Sequence, residues 1–185
     1  MAPQGHVATF QSASPPLVDA SPVSRPAVAH LFDLHAAGLY RLAIAMLHDP
    51  AAAEDVVQDT FLKLLSHVGG GGALPNAKGW LFTVAAHACR DRQRRGRRWL
   101  PWSAALDRRV ANEPPGLMDD RAVVLDALRA LGHRDRLLVT LKAQGLTYEE
   151  IGAAAHVRTT SVGRLLARAL DRLSRELAAR EEIRP

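Results

Sequence analysis

Two sets of charged side chains dominate the chemistry open to this chain. Arg90, Arg92, Arg94, Arg95, Arg97 and Arg98 place six guanidinium groups within nine positions, and with Asp91 they give residues 79–98 a net charge of +5. Like charges at that density repel along a helix, and a polyanion relieves the conflict. A basic run that only keeps a protein soluble is the plainer alternative. The second set is acidic: Glu54, Asp55, Gln58 and Asp59 share one side of a helical pattern, Asp55 and Asp59 four residues apart, and no lysine or arginine is expected near enough to offset them. Such a ridge suits a basic partner surface, or it is a solvated helix face. Neighbouring carboxylates on an exposed helix lack the burial that tunes an acid/base pair, so catalysis is not expected. Gly69 to Gly72 are not followed by the G-K-S/T of a phosphate loop. Cys89 is the only cysteine, which excludes an internal disulfide; His87, two positions away, points elsewhere on a helix. No metal or other cofactor is expected.

A third constellation spans residues 147–169. Thr147-Tyr-Glu-Glu150 has the form of a capping box, Ile151 and Ala155 follow on a short helix, and Val162, Leu165 and Leu166 set a second helix against it across a turn at His156 and Val157. This is helix-turn-helix spacing, in which the second helix enters the major groove. Arg158, Thr159, Thr160, Ser161, Arg164 and Arg168 would then face base edges and phosphates. An ordinary helical hairpin with a basic solvated face is the alternative. His156 stands where such turns use glycine, and histidine tolerates left-handed backbone better than most residues. Trp80 and Phe82, before the arginine run, could stack on unpaired bases, although the spacing of Trp80 with Val84 also marks it as core.

The elements that position these groups are helical. Aromatics are 5% of the 185 residues, 48% are hydrophobic and 23% charged, a balance that favours a folded all-α protein over a sheet. Of the 24 basic residues, 21 are arginine, which suits phosphate contact and also follows from a GC-rich genome. Residues 1–27, with five prolines, read as a disordered N-terminal tail. Helical periodicity then runs to Asp49-Pro50, an N-cap followed by proline at the first helical position. A second helix ends in the glycines, and a third runs from about Ala77 into the arginines. Residues 99–120, broken by Pro101, Pro114, Pro115 and Gly116, read as a flexible linker. The expected architecture is therefore two small helical domains, 28–98 and 121–180. No signal-peptide pattern or apolar run of about 20 residues is present, so a cytoplasmic location without membrane insertion is expected.

This order of pieces resembles the extracytoplasmic-function (ECF) group of bacterial RNA polymerase sigma factors, over 29–98 and 121–177. DPAAAEDVVQDTFLK (49–63) is similar to the family's segment that grips the clamp helices of the polymerase largest subunit. The resemblance implies core-polymerase contact by Glu54, Asp55, Gln58, Asp59 and Phe61. NAKGWL (76–81) with AHACRDR (86–92) is similar to the promoter-melting segment, where a base flipped from the minus-ten element is captured. This implies minus-ten contact by Asn76, Lys78, Trp80, Arg90, Asp91, Arg94, Arg95, Arg97 and Arg98. GLTYEEI (145–151) through SVGRLLARA (161–169) resembles region 4, implying minus-thirty-five contact by Tyr148, Arg158, Thr159, Thr160, Ser161, Arg164 and Arg168. The chain departs from the family at Ala155-His156, where Leu-Gly is common, at Gly163, where a basic residue is common, and at Leu165, whose usual arginine appears one position earlier as Arg164. The implied partners are core RNA polymerase, through its clamp helices and flap region, promoter DNA and an anti-sigma factor. The implied activity is promoter-specific initiation and not enzymatic. A dimeric helix-turn-helix regulator and a sigma-like decoy for an anti-sigma factor are the rival readings.

Overall fold

The computed structural model describes residues 25–99 and 120–181, and every regular element there is an α-helix. In chain order these are α1 (Arg25–Leu47), α2 (Pro50–Gly69), α3 (Ala77–Trp99), α4 (Asp120–Ala130), α5 (His133–Ala143), α6 (Tyr148–Ala155) and α7 (Thr159–Glu181). The expected tail and linker fall almost wholly outside the described residues. At the tail's edge the expectation is corrected: α1 begins at Arg25, because Pro26 sits in the first turn, where its missing N–H costs no hydrogen bond.

Helices α1 to α3 form one unit. Asp49 caps α2 as its spacing predicts: Ala52 donates its N–H to Asp49 Oδ1 at 3.2 Å and Pro50 opens the helix. The chain reverses between α1 and α2 at His48, which takes a left-handed φ of 58°. Leu39, Leu42 and Met46 of α1, Val56 and Leu64 of α2, and Leu81, Phe82 and Cys89 of α3 are buried together. The stripes therefore meet at positions three and four apart, as an amphipathic helix requires. Thr60 is fully buried, and its hydroxyl donates to the Val56 carbonyl at 2.7 Å, so it leaves no polar group unmet.

Helices α4 to α7 form the second unit around Leu131, Leu138, Leu141, Leu146, Ile151, Val162 and Leu166. Buried Asp135 of α5 is paired with Arg172 of α7, which fixes the two helices to each other. The units are not separate beads. α6 packs against α3 and α5 against α1, and the buried side chains of both units run together as one cluster. No helix among the described residues is long and apolar enough to cross a membrane.

Candidate functional site

The acidic ridge lies on the outer side of α2. Glu54, Asp55 and Gln58 are exposed and Asp59 is half-buried. The expectation that no cation offsets the ridge is corrected. Arg92 of α3 reaches back to α2, its Nη2 3.0 Å from Asp59 Oδ2 and 3.5 Å from Asp55 Oδ2. Phe61 does not share the exposure of the ridge: it is 7% exposed and its ring tilts against that of Phe32, centroids 4.9 Å apart. Phe32 is itself exposed, and with Tyr40, Arg41, Glu54, Val57 and Gln58 it lines an open groove of about 720 Å³ between α1 and α2. An apolar furrow edged by Glu54, Gln58 and Arg41 is thus what this face offers a partner.

The third helix carries the arginine run. Its start is set by Asn76, whose Oδ1 accepts from the Gly79 N–H at 2.9 Å. Its register on α1 is set by Gln93, which donates to the Met46 carbonyl at 2.6 Å. Trp80 is half-buried and stacks on His67 at 5.2 Å, and the same imidazole bonds the Ala73 carbonyl at 3.2 Å, which ties down the glycine-rich loop. Phe82 is 2% exposed and edge-on to His35, so the idea that it stacks on a base is corrected: it is core. Asp91, Arg94 and Arg95 are exposed; Arg97 and Arg98 lie in α3, but their side chains are outside those described. Cys89 is buried, and burial pushes its thiol up to about 12, so it stays protonated and unreactive. No cluster among the described residues could hold a metal ion.

The helix-turn-helix forms as its spacing predicts. Glu150 N donates to Thr147 Oγ1 at 3.3 Å, and Thr147 N donates to Glu150 Oε2 at 2.6 Å, which completes the capping box. Burial opposes the charge on Glu150, but hydrogen bonds from Asn76 and Thr147 outweigh it and lower its pKa. His156 ends α6 in left-handed geometry, φ 54° and ψ 45°, the role glycine fills elsewhere. Gly152 makes the turn possible, because a Cβ there would lie 2.9 Å from the Val157 carbonyl oxygen. Arg158, Thr159, Thr160, Arg164 and Arg168 are exposed and Ser161 is half-buried. Tyr148 is exposed beneath the Lys142 ammonium, 5.3 Å from its ring centre.

Sequence reasoning missed the seam between the units. Asn76 Nδ2 donates to Glu150 Oε1 at 2.8 Å, Lys78 Nζ to the Gly145 carbonyl at 3.3 Å, and Arg90 Nη2 to the Ala154 carbonyl at 3.2 Å. Arg41 Nη2 donates to Gln144 Oε1 at 3.2 Å, and His87 stacks on His156 at 4.6 Å. Arg136 contacts His48 Nε2 at 2.5 Å and donates to the Ala45 carbonyl at 3.5 Å. These partners lie dozens of positions apart, beyond any spacing rule. Three of the residues matched to minus-ten contact are therefore engaged by the second unit, while the face of α7 matched to minus-thirty-five contact is open.

Comparison with known proteins places the chain among relatives. The Sigma-70 region 2 family profile matches residues 31–99, the span of α1 to α3. The ECF RNA polymerase sigma factor SigL of Mycobacterium tuberculosis is 38% identical over 116 residues, 59% of this chain and 64% of SigL, so the chain spans just under two thirds of that relative's length. RNA polymerase sigma factor CarQ of Myxococcus xanthus is 33% identical over 141 residues, 70% of this chain and 77% of CarQ. The structures of CnrH in complex with the cytosolic domain of CnrY, and of the sigma factor RpoE in complex with the anti-sigma factor NepR from Bartonella quintana, share the fold. Each has a TM-score of 0.64 at 24% identity; they cover 84% and 81% of this chain and 90% and 96% of their own. With that family profile on its first unit and CarQ matched over 77% of its length at 33% identity, the chain belongs to the RNA polymerase sigma factors.

Proposed function

We propose that the chain is a promoter-selecting subunit of RNA polymerase. The acidic ridge Glu54, Asp55, Gln58 and Asp59 binds core polymerase, residues 28–98 act on the minus-ten element, and residues 121–180 read the minus-thirty-five element in the major groove. The observation that carries this is the pairing, on one chain, of an exposed acidic ridge on α2 with a capped helix-turn-helix whose second helix exposes Arg158, Thr159, Thr160, Arg164 and Arg168. Its work is binding and unstacking, not bond making, so it is not an enzyme; it acts in the cytoplasm, with the polymerase. Flipping a base from the duplex costs a few kcal/mol, which the basic end of α3 and contact with polymerase offset.

The seam supports a further element of this reading. Asn76, Lys78 and Arg90 cannot serve the minus-ten element while they donate to Glu150, Gly145 and Ala154. The free chain therefore binds promoters weakly, and the units part on polymerase. An anti-sigma partner is proposed for the groove beside the ridge; CnrH and RpoE are each seen with a protein partner. The test is run-off transcription by core polymerase reconstituted with the chain on promoter fragments selected by the holoenzyme. Transcripts that require the chain are expected, together with little specific binding of the same fragments by the chain alone. Tight sequence-selective binding without polymerase, to a palindrome with half-sites about one helical turn apart, would instead identify a dimeric regulator.

A further inference from the structure

We propose that Arg92 is a positioning residue of the core-binding ridge: an internal counter-ion that holds Asp55 and Asp59 and is exchanged for a cationic group of polymerase when the two proteins meet. This rests on the reading of the ridge as the polymerase contact. Among Arg90, Arg92, Arg94 and Arg95, Arg92 alone is ion-paired to α2; Arg90 turns to the Ala154 carbonyl, and Arg94 and Arg95 are exposed. The Arg92 side chain is 26% exposed, against 63% for Asp55 and 48% for Asp59, so the cation sits lower than the carboxylates it serves. Both contacts are made by one nitrogen, Nη2, and engage only the Oδ2 atom of each carboxylate. A carboxylate accepts at both oxygens, so each keeps capacity for a second donor.

The electrostatics give this arrangement a direction. Asp55 and Asp59 are like charges one turn apart, and a cation between them removes their repulsion. The same cation subtracts from the negative field that draws a basic surface toward the ridge. Ion pairs this exposed are weak, so a partner cation can take the carboxylates over without a large penalty. The fold does not depend on the pair: the Gln93 bond to Met46 and the buried Cys89 hold α3 in register on either side of Arg92.

The experiment measures the association rate of the full chain with bacterial core polymerase across ionic strength, for the native protein, Arg92→Gln and Arg92→Lys. Arg92→Gln is expected to associate faster at low salt, by roughly three- to ten-fold, with a steeper salt dependence that merges with the native curve at high salt. Arg92→Lys, which keeps the charge, is expected to restore the native rate. Asp59→Asn, a second variant, should slow association and shrink the effect of Arg92→Gln when the two are combined. Slower association of Arg92→Gln at every salt concentration, or a rate and salt dependence equal to native, would overturn the counter-ion role while leaving the ridge reading intact. Failure of the folded native chain to bind core polymerase would overturn the ridge reading and this proposal with it.

Discussion

Asp49, Thr147 and His156 each settle a local problem that a short sequence window states in full. A helix start needs an oxygen for its free N–H groups, and a tight turn after α6 needs a residue that accepts positive φ. All three were legible for that reason, and the structure has them capping α2, capping α6 and ending α6. Arg92 was not legible, because its partners are 33 and 37 positions away and only the packing of α2 on α3 brings them together. Phe82 misled for a related reason: an aromatic beside charged residues looks available until neighbouring helices bury it. Thr147→Ala removes the acceptor for Glu150 N and leaves one side of the capping box. We expect it to lower stability by about 1 kcal/mol, read from urea unfolding, with no change in the wavelength profile of the far-UV spectrum. A loss within error would mean that Glu150, held by Asn76 as well, secures the helix start without the cap.

At the scale of the element, periodicity was enough to place the helices, and composition was enough to exclude sheet. The prolines before Val28 suggest disorder, but Pro26 is harmless in a first turn, so α1 starts earlier than they imply. The helix-turn-helix was the most legible piece, since capping box, turn and apolar spacing all point one way. Its departures from the family are absorbed locally: His156 adopts the left-handed geometry that the turn needs. Arg164 is exposed on α7, one position before the place where the family's arginine usually stands. We expect Arg164→Ala in the reconstituted holoenzyme to change the preferred minus-thirty-five sequence at one position, with a cost of about 1–3 kcal/mol there, measured by binding to a panel of single-base variants. Equal loss on every sequence, with a salt slope lower by about one unit, would make Arg164 a phosphate contact instead.

At the scale of the molecule, two units in the right order were legible and their mutual packing was not. The polar contacts of the seam are made between residues 64 to 103 positions apart, so no periodicity announces them. The seam also carries an acid-sensitive group. His48 lies against Arg136 and Arg129, and burial first, then those two cations, push its pKa down to about 4 from an ordinary 6.5, with Asp126 opposing. The unfolded chain takes up this proton below pH 6.5 while the folded chain does not until near pH 4, so stability falls as pH drops through that window. His35 and His87, also lowered chiefly by burial, act in the same direction. His48→Asn, which tolerates the left-handed backbone, should flatten the decline between pH 6.5 and 4.5 in chemical unfolding. An unchanged decline would place the acid sensitivity at groups other than His48.

Whether the exposed ridge on α2 joins the chain to polymerase is decided by size-exclusion co-elution with bacterial core RNA polymerase at moderate salt. The native chain is expected to co-elute, and an Asp55→Arg/Gln58→Ala variant, folded by circular dichroism, is expected to elute alone. Equal co-elution of both, or none by the folded native chain, would contradict the account.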